Sequence, residues 1–210
     1  LLWAFEGITS YYDDLMLVRA GILDRKQYLG LLAKTITGVL RYPGRTKQTL
    51  EEASFDAWIK FYRPDENSPN ASVSYYAKGC LVALALDLFI RRASDNKKSL
   101  DDVMRALWQK WLLDGQGIAE DEWERIAASV TGVAVNEFFT LALRSTKELP
   151  LAELLASQGV EMVMDVAASA DDMGSFIEEA QLTLANKPSL GVKANVESTG
   201  IRLLNVLDNG

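Results

Sequence analysis

Glu6 stands in the apolar run Trp3-Ala4-Phe5-Glu6-Gly7-Ile8, at the start of a stretch with helical spacing. A carboxylate at a helix start is ordinarily a solvated group, favoured by the positive end of the helix dipole. Among Trp3, Phe5, Ile8 and Tyr12 it has a second option, because an unpaired charge in apolar surroundings seeks a partner or a metal. Zinc accepts a glutamate oxygen beside two histidine nitrogens and keeps a fourth position for water. Ser10 and Asp13 follow on the same helix face, where they could orient a metal-bound carboxylate or simply form a hydrated surface.

The second chemically capable segment is Ser74-Tyr75-Tyr76-Ala77-Lys78-Gly79. Two tyrosines and a lysine in a first helical turn can pack and snorkel without further purpose. A phenol there is also a good donor to a developing oxyanion, since a pKa of about 10 keeps its proton on at neutral pH. Either Tyr75 or Tyr76 fits that role on residue type alone.

What is missing narrows the chemistry as much as what is present. The 210 residues contain no histidine, so serine and cysteine triads that use a histidine base cannot be assembled from this chain. Its one cysteine, Cys80, lies in an apolar run and reads as a small buried hydrophobe. Acidic residues outnumber basic ones, 29 to 22, and the net charge of −7 argues against a nucleic-acid partner. The short basic stretches Arg41 to Lys47 and Arg91 to Lys98 read as solvated helix ends. Membrane helices need about 18 consecutive apolar residues, and the run from Cys80 to Ala85 is cut off by Asp87, so no membrane span is expected.

The elements that must position these residues are mostly helices. Glu6 to about Ala20 reads as the first. Asp24-x-x-Gln27 resembles a capping box ahead of the stripe Tyr28, Leu31, Leu32, Ile36 and Val39, and Pro43-Gly44 stops that helix. Thr49-x-x-Glu52 opens a third, carrying Phe55, Trp58 and Ile59, before the loop Pro64 to Ser72. A strongly apolar helix is expected from about Ser74 to Arg92. Another follows Ser99-x-x-Asp102, with Leu100, Val103, Met104, Leu107, Trp108 and Trp111 spaced as a core stripe. Shorter helices are expected near Glu120 to Val130, Val135 to Arg144 and Leu151 to Ala156. Beyond Gly159 the pattern changes. Val160 to Val166 alternates, and Gly191 to Val196 and Ile201 to Val206 read as strands, with Ala170 to Asn186 mixed. The fold class is therefore mainly α with a β-rich tail. Two or three strands do not close a small β domain, and the tail reads as the front half of one that continues beyond Gly210.

Taken in order, the two chemical segments resemble one family. Glu6-Gly7-x-Thr9-x-Tyr11 resembles the E-G-x-[AT]-x-Y segment of gluzincin aminopeptidases, and Tyr76-x-Lys78-Gly79 resembles their Y-x-K-G segment. The nearest wording is that of the glycyl aminopeptidases, followed through Thr9 to Asp14, Ser54 to Trp58, Asp65 to Asn70, Val73 to Gly79, Ser99 to Leu107 and Leu149 to Leu155. The resemblance implies that residues 1–157 are the helical C-terminal part of a thermolysin-like zinc peptidase domain. Residues 158–210 would be the start of an incomplete PDZ-like domain.

It further implies that Glu6 is the third zinc ligand, joining two histidines of an upstream H-E-x-x-H helix, and that Tyr76 is the oxyanion donor. Leu190, Gly191 and Val192 would resemble a peptide-binding loop and strand. The implied activity is removal of N-terminal glycine or alanine from peptide substrates by the full-length enzyme with Zn2+. The chain alone, one ligand in hand, is expected to be inactive and to hold no zinc tightly. An unpaired strand edge in its tail could give a dimer. The alternative is a pseudo-peptidase scaffold that binds peptide C-termini through the PDZ-like tail. A helical interaction domain unrelated to peptidases would require the long match to be coincidence. Compartment is not legible, with a lean to bacterial cytoplasm or periplasm.

Overall fold

A computed structural model describes residues 1–169, 171–178, 190–198 and 200–208. The chain enters through a π-helical turn, Trp3–Gly7, that runs straight into α1, Ile8–Arg19. Then come α2 (Arg25–Leu40), a 3-10 turn (Pro43–Thr46), α3 (Leu50–Phe55) and α4 (Ser68–Ala71). The central helix α5 spans Ala77–Ala93 and is followed by α6 (Leu100–Asp114), α7 (Glu122–Thr131), α8 (Asn136–Arg144) and α9 (Leu151–Ala156). A β-hairpin of β1 (Val192–Glu197) and β2 (Gly200–Val206) completes the described chain, which is mainly α as expected.

α5 is apolar around its whole circumference, and a helix of that kind is stable only when neighbours cover every side. Those neighbours are α1, α2, α6, α9 and the π turn. Of the two buried polar residues on α5, Lys78 and Asp87, the carboxylate of Asp87 is fully used. It accepts from the Tyr11 hydroxyl (2.9 Å), from Arg91 Nε (2.8 Å) and from the Leu100 main-chain nitrogen (2.7 Å). One carboxylate thus ties α1, α5 and the start of α6 together. Desolvation and the Asp87 charge beside it push the Tyr11 phenol well above its ordinary range. The capping boxes expected at Asp24–Gln27, Thr49–Glu52 and Ser99–Asp102 are all formed, each satisfying main-chain nitrogens that the first helical turn leaves open.

Four expectations need correction. α3 ends at Phe55, and Phe55, Trp58 and Ile59 face solvent instead of extending a packed helix. A short helix, α4, occupies part of the expected loop; Pro69 suits its first turn, where a missing N–H costs nothing. The stripe on α6 splits, so that Leu100 and Val103 are buried whereas Trp108 and Trp111 are about half exposed and stack on each other at 5.1 Å. Val160 to Val166 is irregular: alternation alone makes no strand without a ladder partner, although Val160 and Met162 still pack on the core.

The hairpin is antiparallel, pairing Val192 with Val206 through to Glu197 with Gly200, with a bulge at Lys193/Ala194. Asn70 holds it to the helical block, donating to the Val206 carbonyl (2.7 Å) and accepting from the Asp208 nitrogen (3.0 Å). The last helix ends one residue before the expected boundary at 157. Residues 171–178, part of the mixed segment Ala170 to Asn186, are irregular and lie against α2, where Arg41 donates to the Asp172 carbonyl and Lys26 pairs with Glu178. Residue 170 and residues 179–186 of that segment lie outside the described residues.

Candidate active site

Glu6 lies in the π turn, a wide geometry that is rare overall and recurs at functional sites. Two contacts pin this turn. The Trp3 main-chain nitrogen donates to Ser54 Oγ (3.0 Å), and the Trp3 ring is buried edge-on against Trp123 (5.6 Å) and beside Phe139 (6.2 Å). Phe5 points outward, so the surroundings of Glu6 are less apolar than the sequence suggests. The carboxylate is half-buried, and no cation or hydrogen-bond donor among the described residues meets it. Ser10 Oγ donates to the Glu6 main-chain carbonyl at 2.7 Å, which supports the turn and leaves the carboxylate alone. Asp13 is exposed, with no hydrogen bond or ion pair among the described residues.

The two motif glycines bring the segments together. A Cβ on Gly7 would sit 2.5 Å from the Cα and carbonyl carbon of Gly79. A Cβ on Gly79 would sit 2.9 Å from the Gly7 Cα and 3.0 Å from the Trp3 carbonyl oxygen. The π turn and the first turn of α5 therefore meet backbone to backbone, which only glycine permits. Glu6 precedes one of these glycines and Tyr76 lies three residues before the other. Their side chains share a neighbourhood: the Glu6 charge helps hold the Tyr76 phenol above its ordinary value, behind the larger effect of the hydrogen bond to Tyr62.

Tyr75 and Tyr76 differ sharply in access. Tyr75 is buried, and desolvation, followed by its hydrogen bond to Tyr62 and the neighbouring Tyr76 hydroxyl, drives its phenol far up. Tyr76 is partly exposed at the N-terminus of α5. Of the two candidates, Tyr76 is the more exposed side chain. Lys78 departs from expectation. It does not snorkel but is buried, donating to the Arg45 carbonyl at 3.4 Å, with desolvation lowering its pKa against the pull of Glu148. It anchors α5 to the 3-10 turn and takes no part in the tyrosine cluster.

Sequence reasoning missed Tyr62. Its hydroxyl lies 3.0 Å from that of Tyr75 and 3.3 Å from that of Tyr76, in a ring cluster with Trp58 and Phe61. The available signal is the aromatic run Trp58, Phe61, Tyr62 directly ahead of the Pro64 to Ser72 loop, of which only Trp58 is read above as part of a helix.

As a metal ligand, Glu6 fits on chemical grounds: it is a half-buried carboxylate with no competing partner among the described residues. The described residues contain no group of three His, Cys, Asp or Glu side chains placed to hold a metal ion. Toward the C-terminal end of the chain Leu190 is exposed. Gly191 adopts a left-handed φ of +59° with its carbonyl accepting from the Leu207 nitrogen (2.8 Å), and Val192 opens β1.

Comparison with known proteins bears on both segments. The family model for M61 glycyl aminopeptidase matches residues 1–82, a span that includes the Glu6-Gly7 and the Tyr76-x-Lys78-Gly79 segments. An aminopeptidase N family protein from Idiomarina loihiensis, known from its crystal structure, superposes with a TM-score of 0.86 at 38% identity. The match covers 100% of this chain and 35% of that one, so the chain spans about a third of its relative's length. No curated protein matches.

Proposed function

We propose that the chain is part of an M61 glycyl aminopeptidase, whose family model matches residues 1–82, and that it forms the helical part of a zinc-dependent aminopeptidase acting on small N-terminal residues, glycine or alanine. The observation that carries the reading is the Gly7–Gly79 backbone contact, which holds a carboxylate and a reachable phenol in one place. Glu6 would be one ligand of the metal. Two histidine ligands and the general base would come from a segment outside these residues, which contain no histidine. When bound, zinc supplies Lewis acidity and an activated water.

What this chain's own residues contribute is orientation and hydrogen bonding. Ser10 and the buried Trp3 fix the π turn that presents Glu6. The Tyr76 hydroxyl donates to the substrate's carbonyl oxygen as negative charge develops there, with its proton in place at neutral pH as for any phenol of pKa about 10. Asp13 stays in the proposal only as a hydrated acid near the same helix. We read the hairpin as the start of a PDZ-like domain. Support comes from its exposed edge, to which an extended peptide or a second copy can add.

The test is hydrolysis of glycyl and alanyl anilides by the protein carrying its histidine-bearing segment, with and without a chelator. Chelator-sensitive cleavage is expected. No cleavage by folded, zinc-supplied protein would overturn the enzyme reading in favour of a peptide-binding scaffold.

A further inference from the structure

Tyr62 belongs to neither motif, yet it is the residue that links the two tyrosines of the second. Its ring is held from two sides, stacked on Trp58 at 5.0 Å and edge-on to Phe61 at 5.3 Å. Phe61 in turn packs on Tyr75 (5.1 Å) and Tyr76 (5.9 Å), and those two rings lie 4.7 Å apart. A hydroxyl on a ring fixed in this way has little freedom except rotation of its own proton. The distances of 3.0 Å to the Tyr75 hydroxyl and 3.3 Å to the Tyr76 hydroxyl make a continuous chain from a buried phenol to a reachable one.

Three hydroxyls in a row share two hydrogen bonds, and either direction is geometrically allowed. At rest the Tyr62 oxygen is the natural acceptor: hydrogen bonds from Tyr75 first and Tyr76 second hold its phenol below the ordinary value. In that arrangement the Tyr76 proton points inward and is spent. A negative oxygen arriving beyond Tyr76 favours the opposite arrangement, with Tyr75 donating to Tyr62, Tyr62 to Tyr76, and Tyr76 outward. Hydrogen bonds aligned head to tail polarise one another, so the outward donor is strengthened. The change needs only rotation of hydroxyl protons; no proton leaves its oxygen.

We propose that Tyr62 is a positioning residue for the oxyanion donor, its hydroxyl fixing that of Tyr76 and supplying the hydrogen bond that frees the Tyr76 proton to face the substrate. This rests on the reading of Tyr76 given above. Tyr62 is about half exposed, so removing its hydroxyl leaves the core untouched.

The experiment compares kcat, KM and zinc content for the intact, zinc-loaded enzyme and its Tyr62→Phe, Tyr76→Phe and double variants on a glycyl anilide. Tyr62→Phe is expected to lower kcat about 3- to 10-fold, the worth of one neutral hydrogen bond, with KM and zinc unchanged. In the Tyr76→Phe background the same substitution is expected to change kcat by less than about twofold, because a group acting through Tyr76 has nothing left to act on. Full kcat in Tyr62→Phe, or the same fold loss in both backgrounds, overturns the proposal while leaving Tyr76 as donor. Full kcat in Tyr76→Phe overturns the reading on which it rests.

Discussion

Adding one methyl group at Gly7 tests whether the contact that joins the two motifs is as tight as its geometry says. Gly7 has ordinary right-handed helical dihedrals, φ −70° and ψ −44°, so alanine is conformationally acceptable and intrinsic propensity favours it by about 1 kcal/mol. Space does not. The new Cβ would lie 2.5 Å from the Gly79 backbone, roughly 1 Å inside ordinary carbon–carbon contact. A backbone cannot rotate away, so α5 must shift against the π turn. Overpacking of this kind costs about 1–3 kcal/mol, and a backbone obstacle places it at the upper end.

The net expectation is a loss of about 2 kcal/mol, or roughly 4–8 °C in Tm for a chain of this size. Gly38→Ala is the control. It also sits inside a helix, but its Cβ would meet only the Met173 methyl at 3.6 Å, so propensity should win and stability rise by about 0.5–1 kcal/mol. Urea unfolding of both variants decides the matter by the sign of the shift in midpoint. A Gly7→Ala protein as stable as the parent, or stabilised like Gly38→Ala, would refute the close approach.

Further expectations concern the buried groups. Asp87→Ala removes the shared acceptor of Tyr11, Arg91 and the Leu100 nitrogen, and should cost about 3 kcal/mol in urea unfolding; a loss under about 1 kcal/mol would show that water replaces it freely. Burial, then the charges of Asp14 and Asp13, push the Cys80 thiol up to about 12, so it should react with a disulfide reagent at pH 8 only after denaturation. Cys80, Tyr11, Tyr12 and Tyr28 all have raised pKa values, chiefly through desolvation. The unfolded chain therefore loses protons first, and stability should be full below about pH 9 and decline as pH rises above it, measured as the urea midpoint against pH.

Helix positions were legible because their signals are local. Each capping box at Asp24, Thr49 and Ser99 is written within four residues, and the structure forms all three. The burial of Trp108 and Trp111 was misjudged because spacing reports which residues share a face, not whether another element covers it. The strand pattern at Val160 to Val166 failed for the same reason, since a ladder needs a partner. At the site, Glu6 and Tyr76 were legible only through a resemblance. Gly7 and Gly79 are 72 positions apart, and nothing in either segment announces that their backbones touch. Tyr62 was invisible because its importance lies in two hydroxyl contacts across a loop, whereas its sequence neighbours suggested packing.

We propose that Glu6 and Tyr76 serve one metal-dependent site in different roles. The most direct measurement is zinc content beside kcat for Glu6→Gln and Tyr76→Phe in the protein carrying its histidine-bearing segment. Glu6→Gln should lose bound zinc and activity together, whereas Tyr76→Phe should keep its zinc and lose about 10²–10³ in kcat. Full zinc occupancy and activity in Glu6→Gln, or undiminished kcat in Tyr76→Phe, would contradict it.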